Sequence, residues 1–321
     1  MHLKIPASPA AGTSAGLGAA VLAIDVGGTD TKSAVVDAAG RLHGLMRSPS
    51  AHDKQRPGDA VVEHVAELTK SYSARYPHLE VGALGLVVPG LVDDAAGVGL
   101  FASNFGWERY PFRDRTGEAT GLPVSFGHDV SAAADAEMRM GAGLGTDDAV
   151  VLVIGTGIAG AVFCDGRQVR ARGYAGEFGH APVPGGLPCS CGAWGCLETV
   201  GSAGAITRRY NERTGRSVSG AREVLAAAER GDEDARQIWS DAVNALAFSI
   251  CQLVAILGTE TVILGGGLAQ AGRALLTPLA GQIEQQLSFL RPPRLKTSQL
   301  GQDAGLIGAA MRARDLVAAL R

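Results

Sequence analysis

Two stretches of this chain are built alike, and they restrict its fold more than any other feature. Residues 20–37 read AVLAIDVGGTDTKSAVVD and residues 149–166 read AVVLVIGTGIAGAVFCDG. In each, an apolar strand runs into a glycine-rich turn and a second apolar strand leaves it. Glycine lacks the Cβ that keeps other backbones at a distance, so the N–H groups of such a turn can approach a phosphate. Thr29 and Thr31 add hydroxyl donors to the first turn. The pattern is neither a GxxxxGK[ST] loop leading into a helix nor a dinucleotide fingerprint. Its repetition predicts two similar folded halves, each offering a phosphate-facing turn to the cleft between them.

The remaining segments fit an α/β chain of two domains, which 321 residues can supply. A helix is predicted over 58–76, with Val61, Val62, Val65 and Leu68 at helical spacing. VGALGLVVPG (81–90) reads as a buried strand of a mostly parallel sheet, ended by Pro89-Gly90. SNFGWERY (103–110) is a loop, in which Asn104 taken alone is a turn residue. A short strand at 124–126 and an Ala-rich helix after Ser131 put His128 and Asp129 at a strand end just before a helix. Asp129 there is either a helix cap or a carboxylate with chemistry to do. Helices follow at 201–213, 221–230 and 232–257. Residues 260–272 read strand, Gly265-Gly266-Gly267, helix, where bare backbone lets a planar or phosphorylated group lie close. A strand at 295–298 and a helix at 304–319 end the chain.

Between these lies EFGHAPVPGGLPCSCGAWGCLE, residues 177–198, with three of the five cysteines. His180, Cys189, Cys191 and Cys196 are spaced H-x8-C-x-C-x4-C, a tetrahedral zinc set. Four protein ligands leave no open position, so the metal is expected to be structural. Two cysteines one residue apart seldom pair with each other, which disfavours disulfides. Glu177 and Glu198 flank the ligands and are expected to bind hydroxyl groups of a ligand.

A net charge of −3 with a pI near 6.2 provides no field for nucleic acid or an anionic membrane. No uninterrupted apolar run approaches the ~20 residues of a membrane span. Residues 1–19 read as a flexible extension and not as a signal peptide. An odd cysteine count, three of them assigned to metal, favours a reducing compartment, the cytoplasm, with Cys164 and Cys251 as core residues.

Taken together, these stretches resemble the ROK family of sugar kinases, repressors and related open reading frames. The resemblance covers about residues 20–321 and is most specific in the zinc stretch. It implies the actin-like ATPase (ribonuclease H-like) α/β fold with two domains around a cleft: 20–127 with 304–321 as a small domain, and 128–303 as a large one carrying the zinc loop 177–198. It implies ATP with Mg²⁺ and structural Zn²⁺ as cofactors, and a homodimer. Asp25, Gly27, Gly28 and Thr29 match the first phosphate segment, with Asp25 holding Mg²⁺ through water. Gly155, Thr156 and Gly157 match the second, and Gly265, Gly266 and Gly267 border the adenosine. Asn104, Glu177, His180 and Glu198 match the sugar ligands, His180 also binding zinc, and Asp129 matches the catalytic base. The expected activity is phosphorylation of a hexose 6-hydroxyl, glucose first, with N-acetylmannosamine or N-acetylglucosamine as the alternative. Two positions depart from the family. His128 stands where an Asn usually contacts the sugar, and Asp30 replaces a Lys and is expected to face solvent. A repressor would need a helix-turn-helix, which the Gly- and Pro-rich residues before Val21 do not resemble. A non-catalytic sugar binder is disfavoured by Asp25, Asp129 and both turns.

Overall fold

A computed structural model describes residues 19–321. Apart from its last residue, the expected extension over 1–19 lies outside the described residues. The chain divides into two compact units. One comprises the described residues up to Gly141, together with Arg170–Tyr174 and Gln302–Arg321; the other comprises Ala142–Val169 and Ala175–Gly301.

The first unit is built on β1 (Ala20–Val26), β2 (Asp30–Val36), β3 (Leu42–Pro49), β4 (Val81–Val88) and β8 (Val124–His128), in the order β3-β2-β1-β4-β8. β1, β2 and β3 pair antiparallel, whereas β1, β4 and β8 pair parallel. β5 (Leu91–Asp93), β6 (Val98–Phe101) and β7 (Glu108–Tyr110) form a small separate antiparallel sheet. Alternation along β1 distributes two cores. Leu22 and Ile24 join Leu84, Leu86, Phe112 and Phe126, and this side includes the buried stripe Val61, Val62, Val65 and Leu68 of α1 (Pro57–Arg75) and Phe112 of α2 (Phe112–Thr120). Val21 and Ala23 join Ala83 and Val87, covered by Ala132 of α3 (Asp129–Met140) and by Leu306, Ala309 and Ala313 of α10 (Ala304–Ala319). Small residues let α10 lie unusually close. A Cβ on Gly85 would stand 2.1 Å from Ala309 O, and one on Gly308 would stand 2.0 Å from Ala132 O. This packing keeps α3 in the first unit, whereas the sequence reading drew the boundary at 127/128.

The second unit repeats the scheme with β9 (Ala149–Ile154), β10 (Ile158–Cys164), β11 (Arg167–Val169), β14 (Thr261–Gly265) and β15 (Arg294–Thr297), in the order β11-β10-β9-β14-β15. β9, β10 and β11 are antiparallel, and β9, β14 and β15 are parallel. The two similar halves expected from the twin turns are therefore present as one topology used twice. Around this sheet lie α4 (Glu198–Gly201), α5 (Ala203–Thr214), α6 (Ala221–Glu229), α7 (Glu233–Leu257), α8 (Gly266–Ala269) and α9 (Arg273–Gln286). The hairpin of β12 (Pro182–Pro188) and β13 (Trp194–Cys196) completes the unit. By length and composition α7 could cross a membrane. One face of it is committed to the core: Ile238, Ala242, Leu246 and Ile250 are all buried together with Leu152 and Val262, while Ile256 is exposed. Asp232 caps its start by accepting from Ala235 N–H at 3.0 Å, and Gly258, at φ 69°, ends it.

Candidate functional site

In the first unit, the β1–β2 register sets Asp25 opposite Lys32, and the turn between them is closed by Gly27 N–H donating to Asp30 O at 3.0 Å. A Cβ on Gly27 would lie 2.8 Å from that oxygen, so glycine is required there. Gly28, Thr29 and Asp30 are exposed, with Asp30 facing solvent as expected. Ser50, just beyond β3, braces the turn from outside. Its hydroxyl donates to Gly27 O at 2.7 Å, its N–H donates to Thr29 O at 2.8 Å, and its Oγ is 3.0 Å from the Thr31 hydroxyl. Asn104 lies in the loop between β6 and β7, with its Nδ2 only 3.3 Å from where a Cβ on Gly28 would be. Two residues far apart in sequence are thus brought together.

Asp129 is the first residue of α3, and the capping position belongs to His128, which makes no side-chain cap bond. The Asp129 Oδ1 accepts from Val130 N–H at 2.6 Å and lies 3.0 Å from His128 Nε2. Burial raises the Asp129 carboxyl to about 7, against the opposing pull of the Val130 N–H and of Lys32. Asp25 is also raised to about 7, first by burial and then by the negative charge of Asp129, while Lys32 at 3.8 Å works the other way. Asp303 adds further negative charge near Asp25, and Arg47 opposes it. The first turn of α10 abuts the same carboxylate: a Cβ on Gly305 would stand 2.7 Å from Asp25 Oδ2. The Lys32 ammonium also donates to Gln302 O. Sequence reading missed Ser50, Arg47 and Asp303. Asp303 has one legible signal, an acid just before the Ala- and Gly-rich run of α10.

In the second unit, Gly155 N–H donates to Gly157 O at 2.9 Å, closing the second turn. Glu198 is attached to this turn. Its Oε2 accepts from Ile158 N–H at 2.8 Å, and a Cβ on Gly157 would stand 2.4 Å from that oxygen. The start of α5 approaches from another side, with Ala203 N–H donating to Gly155 O at 2.9 Å and a Cβ on Gly204 placed 2.5 Å from Thr156 O. Gly265 ends β14. Gly266, at φ +81°, would set a Cβ 2.4 Å from Ile154 O, whereas Gly267 has nothing within 4 Å of its Cβ position. The result is a tight strand-to-helix turn with open backbone at Gly267. Half-buried Glu177 follows Gly176, whose carbonyl accepts from Gly160 N–H at 2.9 Å and so fixes Glu177 beside β10.

The four expected zinc ligands come together. The ligand atoms of His180, Cys189, Cys191 and Cys196 all lie within 4.8 Å of one another. Cys191 Sγ and Cys196 Sγ are 3.7 Å apart, and Cys189 Sγ is 3.8 Å from His180 Nδ1. A tetrahedral ion with Zn–S bonds of about 2.3 Å requires an S···S edge of about 3.8 Å, which these thiols match. Cys189, Ser190 and Cys191 sit in a tight turn, with Gly192 N–H donating to Cys189 O at 3.0 Å and Cys189 N–H to Ala193 O at 2.9 Å. Thr199 ties this hairpin to α4: its Oγ1 donates to Cys196 O at 2.7 Å and accepts from Leu187 N–H at 2.8 Å. All five cysteines are free of disulfides, and Cys251 is buried as expected.

Comparison with known proteins bears on the family and the fold. The ROK family model matches residues 21–315. The glucokinase of Halalkalibacterium halodurans is 33% identical over 309 residues, covering 89% of this chain and 92% of that protein. Among solved structures, the ROK hexokinase from Thermus thermophilus superposes with a TM-score of 0.81 at 34% identity, over 94% of this chain and 99% of the other. A ROK family glucokinase from Streptomyces griseus in complex with glucose and AMPPNP gives a TM-score of 0.76 at 30% identity, over 92% of this chain and 99% of the other. The doubled sheet is accordingly the actin-like architecture expected from the sequence. With that topology in both units and a family match spanning residues 21–315, the chain belongs to the ROK family.

Proposed function

We propose that this protein is an ATP-dependent sugar kinase that phosphorylates the 6-hydroxyl of a hexose, with glucose as its substrate. The observation that carries the reading is the Asp129 carboxyl, fixed at the start of α3 and raised to about 7. Phosphoryl transfer to an alcohol needs a positioned carboxylate to accept the hydroxyl proton, and a base serves best when its pKa lies near the working pH. His128 Nε2, 3.0 Å away, orients that carboxylate. Asn104, His128, Glu177, His180 and Glu198 are assigned to sugar hydroxyls. One Glu198 oxygen is engaged by Ile158 N–H, which fixes the side chain while the other oxygen serves the sugar. The backbone of Gly27, Gly28, Thr29, Gly155, Thr156 and Gly157 receives phosphates, and Gly265, Gly266 and Gly267 flank the adenosine.

The acid-rich surroundings of Asp25 suit a divalent cation, because Asp129 and Asp303 both add negative charge there. Asp25 would hold Mg²⁺ through water, and Mg²⁺ supplies neutralisation of phosphate charge. The Cys3His set would hold Zn²⁺ in a structural role, with Nδ1 of His180, which lies beside Cys189 Sγ, on the metal side. Family resemblance supports a homodimer. The net charge of −3 and the free cysteines support a cytoplasmic protein without a nucleic-acid partner. The test is ADP release measured over a panel of glucose, mannose, N-acetylmannosamine and N-acetylglucosamine. Glucose is expected to give the highest kcat/KM. A higher value for an N-acetylated sugar overturns the substrate assignment, and turnover of none overturns the kinase reading.

A further inference from the structure

His52 belongs to no motif, yet it stands where two parts of the first unit meet. Its ring lies in the Ser50–His52 segment that follows β3, and its Nε2 is 3.1 Å from Gly28 O. A carbonyl oxygen only accepts, so this nitrogen carries the proton and donates. The flat of the ring is stacked on Phe105, with centroids 4.4 Å apart and planes at 14°. Phe105 is buried, and it stacks in turn on Trp107 at 4.6 Å, which meets Phe112 edge-on at 4.9 Å. Phe105 is also the immediate neighbour of Asn104, whose amide nitrogen approaches Gly28. The imidazole therefore grips the glycine turn through its edge and the Asn104 loop through its face.

The hydrogen bonds of this segment are systematic. Ser50 Oγ takes Gly27 O, His52 takes Gly28 O, and Ser50 N–H takes Thr29 O. Three successive carbonyls of the turn are thereby held from one side, which fixes the peptide planes whose N–H groups are to receive phosphate. The Ser50 bonds go to the turn and to Thr31. His52 also touches the loop bearing Asn104, through a stack that needs no proton.

We propose that His52 is a positioning residue that links the sugar loop to the first phosphate turn, its ring edge setting the turn and its ring face setting Asn104. The inference rests on the kinase reading above. Two substitutions separate the two contacts. His52→Gln keeps a donor for Gly28 O and loses the stack, while His52→Phe keeps the stack and loses the donor. Binding of glucose and of AMPPNP is measured separately by calorimetry, for the unaltered protein and both variants, with thermal unfolding as a check on folding. His52→Phe is expected to weaken AMPPNP about fivefold, the weight of one hydrogen bond, with glucose affinity retained. His52→Gln is expected to weaken glucose by a similar factor, with AMPPNP affinity retained. A purely structural residue gives no such crossing pattern. If the unaltered protein binds both ligands and the two variants lose both equally, or lose neither, the inference is wrong and the kinase reading stands. If the unaltered protein binds neither ligand, both fall together.

Discussion

The Asp129 carboxyl draws its chemistry and its energetic cost from the same source. Burial that raises it from 3.8 to about 7 makes it a competent base at neutral pH, and it also disfavours the charged form in the folded chain. Replacing it by Asn keeps the shape and removes the base. Asp129→Asn is expected to lower kcat by ~10²–10⁴ while leaving glucose affinity within about threefold, read by steady-state kinetics and calorimetry. An unchanged kcat would remove Asp129 from the mechanism. The pH dependence has opposite signs for activity and stability. With Asp129 as the proposed base, kcat/KM is expected to fall as pH drops below about 7. In the ligand-free protein, Asp25 and Asp129 have folded pKa values above the ordinary 3.8, so between 3.8 and about 7 the folded state binds more protons than the unfolded state. Stability therefore declines as pH rises through that window, and Asp129→Asn should flatten the decline in unfolding midpoints measured from pH 4.5 to 7.5. Only part of this was legible in the sequence. A strand end followed by a helix marked Asp129, and the glycine turn marked Asp25. Ser50 and His52 sit in a stretch without periodicity or motif and reach the turn through the β2–β3 pairing, while Asp303, marked only as an acid ahead of a helix, comes near Asp25 through the placement of α10.

Among the elements, those with a strong internal signal were readable and those shaped by tertiary context were not. The stripe of α1, the apolar run of β4 and the ends of α7 emerge within a residue or two of where the pattern puts them. β3 was missed because an edge strand alternates weakly; beyond Leu42 it has no buried residue. α9 was missed because Pro278 lies inside it, and the helix is held by Leu275, Leu279 and Ile283 in the core of the second unit. The zinc hairpin was legible by its ligands alone. β12 has three Pro and two Gly in seven residues and buries only Val183, so propensity does not hold it and the core holds it at one residue. With zinc bound as proposed, its order would come from the metal, from the Thr199 bonds and from pairing with β13. Cys191→Ala is therefore expected to lower bound zinc, measured by elemental analysis, and to weaken glucose binding more than AMPPNP binding. Equal losses for both ligands would mean that the hairpin does not serve the sugar in particular.

At the scale of the whole molecule, one strand order is used twice, and each copy has its own core. The glycine turns fall at equivalent places because the topology delivers them there: each joins the central strand of its sheet to the antiparallel neighbour, β1 to β2 and β9 to β10. The sequence repeat was visible because a turn that must expose backbone tolerates few residues, whereas the strands around it only need to be apolar. The two copies differ in what was added. The first unit received a small antiparallel sheet with Asn104, and the second received the zinc hairpin between β11 and α5. An addition with its own ligand should be removable without melting the sheet beneath it. The core of the second unit runs from Val150 and Leu152 through α7 to Leu279, and of the four ligands it includes none. Metal binding energy of ~10–16 kcal/mol in zinc-finger peptides is folding energy there; here it would order the hairpin locally. Stripping zinc with a strong chelator is expected to abolish hydrogen-exchange protection in β12, β13 and residues 178–180. The amides of β9, β14 and α7 should remain slow, and those of β1 and β4 unchanged. Loss of protection throughout the second sheet would make the metal part of that unit's core, and retention in β12 and β13 would show that the hairpin orders itself without an ion.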